Sequence, residues 1–461
     1  MSLAENLIAA SSRTRAVRLD WVAAGHFLLL VGFLAFTFAS TQSFYPQTVA
    51  ERAAGSGFDR LFVTAMAVLA IFLIGARSEA AWTCLRGNKL MVAVVLFSLA
   101  SFVWSDFPEL TLRRATLFVL LTIVAVGIAA SIDDLPRFHA RLHRALFALI
   151  VANLAVTVLW PAQAITDIGV AGLYGQKNEA GGVAMIAVVV SATYAFGAQR
   201  RLDRVFGLLG AACALVFLIL TRSKTSISLT FLGLAVGLLF WIAQRGGPRF
   251  ALLVFGGLSA AVVALLGLVM ASDFNGQELL GKFLTDTTFT GRNELWAFAW
   301  RAALQRFWLG YGYGAFWDVG AAYDPLARLE PGTWLGDVEV GVINEAHNGY
   351  IELCLHIGLP MTCVAVCAIV NALFVSTRKA ITARAGAAAY AMAALLLFLH
   401  LLHNQTEANL FMRGTSFCNY GCRSPSCSRL QDARQRQPKA SWSSRPSRPH
   451  CRHWLARRRK L

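Results

Sequence analysis

A histidine near the end of a hydrophilic segment is the first candidate for acid–base chemistry. His347 stands in NEAHNGYIE at 344–352, directly before an apolar run. An imidazole has an unperturbed pKa of about 6.5, which suits a general base. The neighbouring Glu345 and Asn348 have polar groups that can orient the ring. Because a lone histidine is more often structural, catalysis by His347 is a hypothesis set against a purely structural role.

Three basic side chains near apolar runs are candidates for binding an anionic group. Arg222 and Lys224 lie in the short turn LTRSKT at 220–225, between two apolar runs, and Lys177 lies in GLYGQKNEAGG at 172–182. The planar fork of an arginine matches the geometry of a diphosphate. The alternative is that these long side chains extend toward lipid headgroups.

A further basic candidate is Arg292, which follows FTG at 289–291 and opens a stretch that the pattern predicts to be helical to about residue 308. The polar residues Glu294, Arg301 and Gln305 recur on one face, which indicates an amphipathic helix lying in the membrane interface. A helix N-terminus attracts anions, and Arg292 adds charge there. The alternative is an exposed arginine in the first turn.

The glycine- and aromatic-rich segment LGYGYGAFW at 309–317 follows this helix and contains Tyr311, Tyr313 and Trp317. A potassium-channel filter is excluded, because such filters need a short pore unit repeated around an axis. A phosphate-binding P-loop is excluded because its Lys-Ser/Thr pair is missing. A flexible aromatic turn is the better interpretation.

No metal site and no cofactor are predicted. His400 and His403 lie one helical turn apart, but the sequence supplies no further ligands for them. Cys418, Cys422 and Cys427 have no second ligand pair at a spacing that completes a zinc site.

The composition predicts that most of these residues are positioned by membrane helices. Of 461 residues, 57% are hydrophobic and 15% are charged, whereas a soluble domain carries about 25% charged residues. A span needs about 20 apolar residues. We therefore predict an all-α integral membrane protein with about eleven transmembrane helices, at 21–39, 60–76, 89–104, 112–131, 142–160, 180–197, 204–221, 226–242, 250–271, 350–376 and 385–403.

The distribution of basic residues orients these spans. Two or three bases occupy each loop on one side if residues 1–20 are cytoplasmic. Spans one to nine then fill 21–271, a long loop at 272–349 faces the periplasm, and spans ten and eleven fill 350–404. Between Asp273 and Glu345 the loop has ten acids and five bases. This predicts a multi-pass protein of the bacterial inner membrane with its candidate residues on the outer face. No nucleic-acid partner is predicted, because no folded basic face is evident.

The C-terminal tail, 405–461, departs from this pattern. Residues 415–461 contain ten Arg and two Lys against one acid, with no apolar run. Such a segment cannot bury a core. A disordered basic tail is one interpretation; the abrupt change near Gly414 favours the other, an out-of-frame C-terminus that has replaced a final span.

Taken in order, the quoted segments, with AHNGYIELCLHIGLP at 346–360, resemble the superfamily of O-antigen ligases and Wzy-type polysaccharide polymerases, most closely its exopolysaccharide-production branch. The likeness runs from about residue 90 to 410. His347-Asn348 is followed after nine residues by Gly358, as in the ligases, whereas Met361 departs from their pattern.

This resemblance implies a helical, lipid-dependent glycosyltransferase fold and the polymerisation or ligation of undecaprenyl-diphosphate-linked glycans at the periplasmic face without a metal. In that scheme His347 accepts a proton, Arg222 and Arg292 stabilise the leaving diphosphate, and Glu345 or Asn348 orients the histidine. The substrate-binding residues would be Lys177 and Lys224, with Tyr311, Tyr313 and Trp317 stacking on sugars.

The partners implied are the bilayer, the lipid-linked oligosaccharide, a growing glycan or lipid acceptor, and other polysaccharide-assembly proteins. Two alternatives stay open: a transporter or flippase for polysaccharide or lipid-linked sugar, and a non-catalytic accessory protein of a polysaccharide export complex. The clustering of notable charges at one face favours chemistry there over transport.

Overall fold

The chain folds almost entirely into helices. The computed structural model describes residues 21–38, 56–271, 292–329, 332, 335–338, 342–383 and 385–408. The helices are α1 (Trp21–Phe38), α2 (Gly57–Ala76), α3 (Ser78–Gly87), α4 (Lys89–Ala100), α5 (Pro108–Ala130), α6 (Leu135–Leu159), α7 (Pro161–Ala164), α8 (Lys177–Gly197), α9 (Arg201–Thr221), α10 (Lys224–Ala271), α11 (Arg292–Gln305), α12 (Gly349–Thr382) and α13 (Ala387–His403). Strands β1 (Ile165–Thr166) and β2 (Gly169–Val170) form a small antiparallel hairpin, and 3-10 turns cover Ser101–Val103, Ala321–Tyr323 and Pro325–Arg328.

Within the described residues, eight helices are long and apolar enough to cross a membrane: α1, α2, α5, α6, α8, α9, the first part of α10 (Lys224–Gly247) and α12. A ninth candidate is the bent pair formed by α3 and Lys89–Val103, and α13 is apolar but shorter. The prediction of an all-α integral membrane protein is confirmed, and the protein is a multi-pass membrane protein. The count of eleven stays a prediction. The tail prediction from residue 409 onward, like the segment 272–291 of the long loop, lies outside the described residues.

The third predicted span, 89–104, is a short helix followed by a 3-10 turn, and it meets α3 at an angle of 86°. Asn88 between the two helices has φ −124° and ψ 40°, which is not helical. The helix α3 differs from the apolar run that follows it, because α3 contains polar residues, including Glu79 and Arg86.

The helix α8 lies at the centre of the bundle, where it packs against α6, α9, α10 and α13. Close packing depends on small residues. A Cβ at Gly181 would lie 2.7 Å from the Cβ of Ser223, at the start of α10. Because successive spans run in opposite directions, the N-termini of α8, α10 and α12 and the C-termini of α9 and α13 all lie on one side of the bundle. We call this side the outer face, because the distribution of basic residues predicts that it faces the periplasm.

The helix α12 is broken at Gly358, which has φ 74° and ψ 165°. The break separates the carbonyl of Leu355 from the N–H of Leu359, which would pair in a continuous helix. The aromatic segment supplies both partners: Tyr311 N donates to Leu355 O at 2.7 Å, and Leu359 N donates to Phe307 O at 2.9 Å. The start of α12 is therefore fixed to the loop that precedes it.

Candidate functional site

The ends of α8, α10, α11, α12 and α13 meet on the outer face and bring together a network of polar side chains. The helix α11 starts at Arg292, close to the sequence prediction, and its predicted polar face, with Glu294, Arg301 and Gln305, is exposed. Its opposite side buries Leu295 and Ala299. This packing against α12 directs the N-terminus of α11 toward the polar network.

His347 lies at the centre of this network. Its Nδ1 is 2.8 Å from Glu345 Oε1 and 3.7 Å from Glu407 Oε2. The geometry is that of an ion pair rather than an in-line hydrogen bond. No hydrogen bond joins Nε2 to any other described residue, and the His347 side chain is 27% exposed.

The backbone around His347 is held by the N-cap of α12. Asn348 Oδ1 accepts from the N–H groups of Tyr350 and Ile351 at 3.0 and 3.2 Å, a typical Asn N-cap arrangement. Asn348 Nδ2 donates to Gln405 O at 3.2 Å, and Gly349 N lies within hydrogen-bonding distance of the carbonyls of Asn404 and Glu407. The segment carrying His347 is thus fastened to the end of α13.

Arg292 joins the same group from α11. Its Nη1 donates to Thr406 O at 2.5 Å and its Nη2 to Glu407 Oε1 at 3.3 Å. The two side chains are 19% and 10% exposed. A largely enclosed ion pair is screened less by solvent than a surface pair, so the arginine is fixed beside His347 before any ligand arrives.

A residue of α8 also binds Glu407, and a residue at the start of α10 binds that residue of α8. Asn178 Nδ2 donates to Glu407 Oε1 at 3.0 Å, and Ser223 Oγ donates to Asn178 Oδ1 at 3.3 Å. Ser223 Oγ also contacts Ser226 Oγ at 3.1 Å, and Ser226 Oγ lies 3.5 Å from His403 Nε2. The network therefore connects four helices to one carboxylate.

The pKa values of the central groups follow from this arrangement. Burial lowers the pKa of His347, but the close contacts with Glu345 and Glu407, and the charges on these residues, outweigh it and raise the pKa to about 9. Burial raises the pKa of Glu345, with His347 acting against the rise. For Glu407 burial acts upward, but His347 and Arg292 bring the pKa below its ordinary value. At neutral pH the resting site holds a protonated His347 between the carboxyl groups of Glu345 and Glu407.

Glu345, His347 and Glu407 are also a possible metal-ligand set, since one donor atom of each lies within 4.8 Å of the others. No other such group occurs in the described part of the chain. Their chemistry fits a cation less well, because Arg292 already binds one oxygen of Glu407 and the imidazole carries a proton. The set is therefore best described as an ion-pair network.

The predicted basic residues Arg222 and Lys224 flank Ser223 in the turn between α9 and α10. Both side chains are exposed, and neither makes a hydrogen bond or ion pair to another described residue. Arg222 has φ 52°, a left-handed conformation that ends α9. Lys177 instead donates from Nζ to Ile168 O at 3.1 Å, beside the β-hairpin. Two cations that have no partner among the described residues thus stand next to the polar network.

The structure changes the interpretation of two aromatic residues. Tyr313 and Trp317 are 1% and 3% exposed, and Tyr313 stacks on Phe118 with ring centroids 5.0 Å apart. Neither ring offers a free face, so the prediction that these two residues stack on sugars does not fit. Tyr311 is partly buried, and its hydroxyl donates to Ala302 O at 3.1 Å.

The aromatic segment is buried because an arginine in α5 binds it. Arg114 is 2% exposed and donates to the carbonyls of Gly314, Trp317 and Asp318, the last two at 3.0 Å. Nothing in the sequence connects Arg114 with Gly314, which lies 200 positions further along the chain. Glu407 and Asn178 were also missed as site residues, although an acid at the outer end of a predicted span was a usable signal for Glu407.

The fold and the polar network on the outer face are those of a polytopic membrane protein with its charged side chains gathered at one face. Comparison with known proteins agrees with this description. Residues 209–366, which include Arg222, Arg292 and His347, match the family model described as O-antigen ligase. The predicted resemblance to the O-antigen ligase and Wzy-type superfamily is thereby confirmed.

A particular relative places the resemblance in the exopolysaccharide branch. The chain is 27% identical over 293 residues to the exopolysaccharide production protein ExoQ of Rhizobium meliloti strain 1021. The aligned region covers 61% of this chain and 63% of that protein, which is less than two thirds of the relative's length.

Proposed function

We propose that this protein polymerises or ligates undecaprenyl-diphosphate-linked glycan units at the periplasmic face of the bacterial inner membrane, in exopolysaccharide or O-antigen synthesis, without a metal ion. The observation that carries the proposal is the state of His347. Its Nδ1 is held between two carboxylates, its Nε2 has no partner among the described residues, and Arg292 is fixed beside it.

In the proposed reaction, Nε2 of a neutral His347 accepts the proton of an acceptor hydroxyl. The hydroxyl oxygen forms a bond to the anomeric carbon of the donor sugar, and the bond from that carbon to the diphosphate oxygen breaks. The lipid diphosphate leaves with the electron pair. The carboxylates of Glu345 and Glu407 stabilise the imidazolium that results, in the way that a carboxylate partner supports a catalytic histidine elsewhere.

The leaving diphosphate gains negative charge, and the proposed site has cations to stabilise it. Arg292 is prearranged at the network, while the side chains of Arg222 and Lys224 have no hydrogen-bond or ion-pair partner to give up among the described residues. Lys177 would join them by exchanging its bond to Ile168 O for one to the ligand. Fixed donors aimed at developing charge are a major source of catalytic rate enhancement.

Complementation tests this function directly. The full chain is expressed in a strain that lacks its exopolysaccharide polymerase, and surface polymer, its chain-length distribution and glycan attached to lipid A are measured against an empty vector. We expect restored polymer, or glycan on lipid A if the protein is a ligase. Lipid-linked units that stay on the cytoplasmic side of cells lacking the protein, and cross the membrane only when it is present, would contradict the proposal and indicate a transporter.

A further inference from the structure

A second polar group lies inside the protein and is bonded to the residue that precedes His347. The carboxylate of Glu352, in the first turn of α12, is 0% exposed. Its Oε2 accepts from Ala346 N at 2.8 Å and from Trp317 Nε1 at 3.0 Å. Its Oε1 lies 3.2 Å from His356 Nε2. A buried carboxylate is costly unless it is well bonded; the two N–H donors satisfy Oε2, whereas Oε1 contacts His356 without a hydrogen bond.

The donors to Glu352 come from parts of the chain that are fixed independently. Trp317 is held at its carbonyl by Arg114, and its indole N–H donates to Glu352. Ala346 is held on both sides, because its N–H donates to Glu352 and its carbonyl accepts from Trp296 Nε1 at 3.0 Å. Glu352 therefore joins α5, the aromatic segment and α12 to the peptide that precedes His347.

This attachment matters because His347 is in an unfavourable backbone conformation. Its φ is 47°, in the left-handed region that residues with a Cβ avoid. Such a conformation persists when the neighbouring backbone is held in place. Ala346 is held by Glu352 and Trp296 on one side, and Asn348 caps α12 on the other.

We infer that Glu352 is a positioning residue, which holds His347 in the left-handed conformation that places its ring between Glu345 and Glu407. The use of that conformation in catalysis rests on the proposed function. Glu352 does not reach the reacting atoms in this scheme, because its carboxylate faces the interior of the protein. Its effect passes through the bond to Ala346.

The test compares three variants of the full-length protein, purified in detergent. Glu352→Met removes the acceptor but keeps a similar volume, and Glu352→Gln keeps an amide oxygen that can accept both donors. Cys354→Ala, at another buried position of α12, is the matched control. The rate at which diethyl pyrocarbonate modifies His347 is followed by peptide mass spectrometry from pH 6 to 10, relative to N-acetylhistidine.

We expect the midpoint for His347 to be near pH 9 in the wild type, in Glu352→Gln and in Cys354→Ala. In Glu352→Met it should fall by about one unit or more toward 6.5, because the ring loses its fixed place between two carboxylates. Polymer formation in complemented cells should fall at least about tenfold in Glu352→Met and by less than about threefold in Glu352→Gln, since Glu352→Gln preserves the bond to Ala346. An unchanged midpoint and unchanged polymer in Glu352→Met would overturn the inference.

A measurement on the wild type covers the case in which Glu352→Met does not fold. Hydrogen–deuterium exchange should show slow exchange at the Ala346 amide, since this N–H donates to a fully buried acceptor. Exchange at the rate of an unprotected peptide would overturn the inference. Neither readout on purified protein needs a glycan, so failure of the proposed function would appear separately, as a wild-type chain that makes no polymer.

Discussion

Replacing Arg292 with alanine is expected to lower the rate of glycan transfer about 100- to 1000-fold, the range for losing one well-placed charge donor, about 2.7–4 kcal/mol of barrier. Arg292 is the cation that is already fixed at the network, through Thr406 O and Glu407 Oε1. Arg292→Lys should recover part of the rate, because a lysine restores the charge but lacks the planar guanidinium that donates to two acceptors at once. The measurement is polymer formed per unit of protein in membranes of complemented cells.

Arg301→Ala is the matched control for Arg292→Ala. Arg301 lies on the same helix and is exposed, and within the described part of the chain its side chain donates only to Ala297 O, one turn away, at 3.2 Å. It should leave transfer within about twofold of the wild type, as exposed substitutions usually do. If the two alanine variants had equal effects, α11 would contribute through its surface charge and not through a fixed donor.

Raising the pH from 7 to 9 is expected to increase the transfer rate about 50-fold, because the neutral fraction of His347 rises from about 1% to about 50% when its pKa is about 9. Only a neutral imidazole can accept a proton. Because Glu345 and Glu407 raise the pKa of His347 to about 9, the neutral form is scarce at pH 7. Initial rates in membrane vesicles of complemented cells, buffered at constant ionic strength, measure this dependence.

A variant at a carboxylate that contacts His347 distinguishes this histidine from other groups that titrate in the same pH–rate profile. Glu345→Gln removes a neighbour that raises the pKa of His347, so the rise in rate should occur at lower pH. A profile that keeps its midpoint in Glu345→Gln, or a wild-type rate that falls between pH 7 and 9, would contradict the role of His347 as a base.

The same pKa shift affects folding stability with a definite sign. The ordinary pKa of histidine is 6.5 and the folded-state value is about 9. The ion pair therefore stabilises the folded protein fully below pH 6.5 and loses this contribution as the pH rises through about 9. A rate that increases over the same range in which stability falls cannot be explained by better folding at high pH.

The sequence predicted the membrane helices well because each is encoded locally. Apolar runs of span length define them, and the bases in alternate loops indicate which ends share a side. That reasoning placed Arg222, Arg292 and His347 on one face. It did not predict the sharp bend at Asn88 or the break at Gly358, because both depend on contacts with distant segments, such as the bonds from the aromatic segment to Leu355 and Leu359.

The contents of the site were predictable only where neighbours in sequence are neighbours in space. Glu345 and Asn348 adjoin His347 and do contact or position it. Glu407 lies 60 positions beyond His347, and only the packing of α13 against α12 brings them together. The burial of Tyr313 and Trp317 was missed for a related reason, since a segment rich in glycine and aromatic residues gives no sign that Arg114 will bind its carbonyls.

The central claim is that the neutral imidazole of His347 accepts the acceptor's proton, and His347→Ala tests it most directly. The variant and the wild-type chain are expressed at equal membrane levels in the complemented strain, and both surface polymer and lipid-linked donor are measured. The account predicts that His347→Ala loses polymer by at least about 100-fold and accumulates donor on the periplasmic side. Normal polymer from His347→Ala, with no accumulated donor, would contradict it.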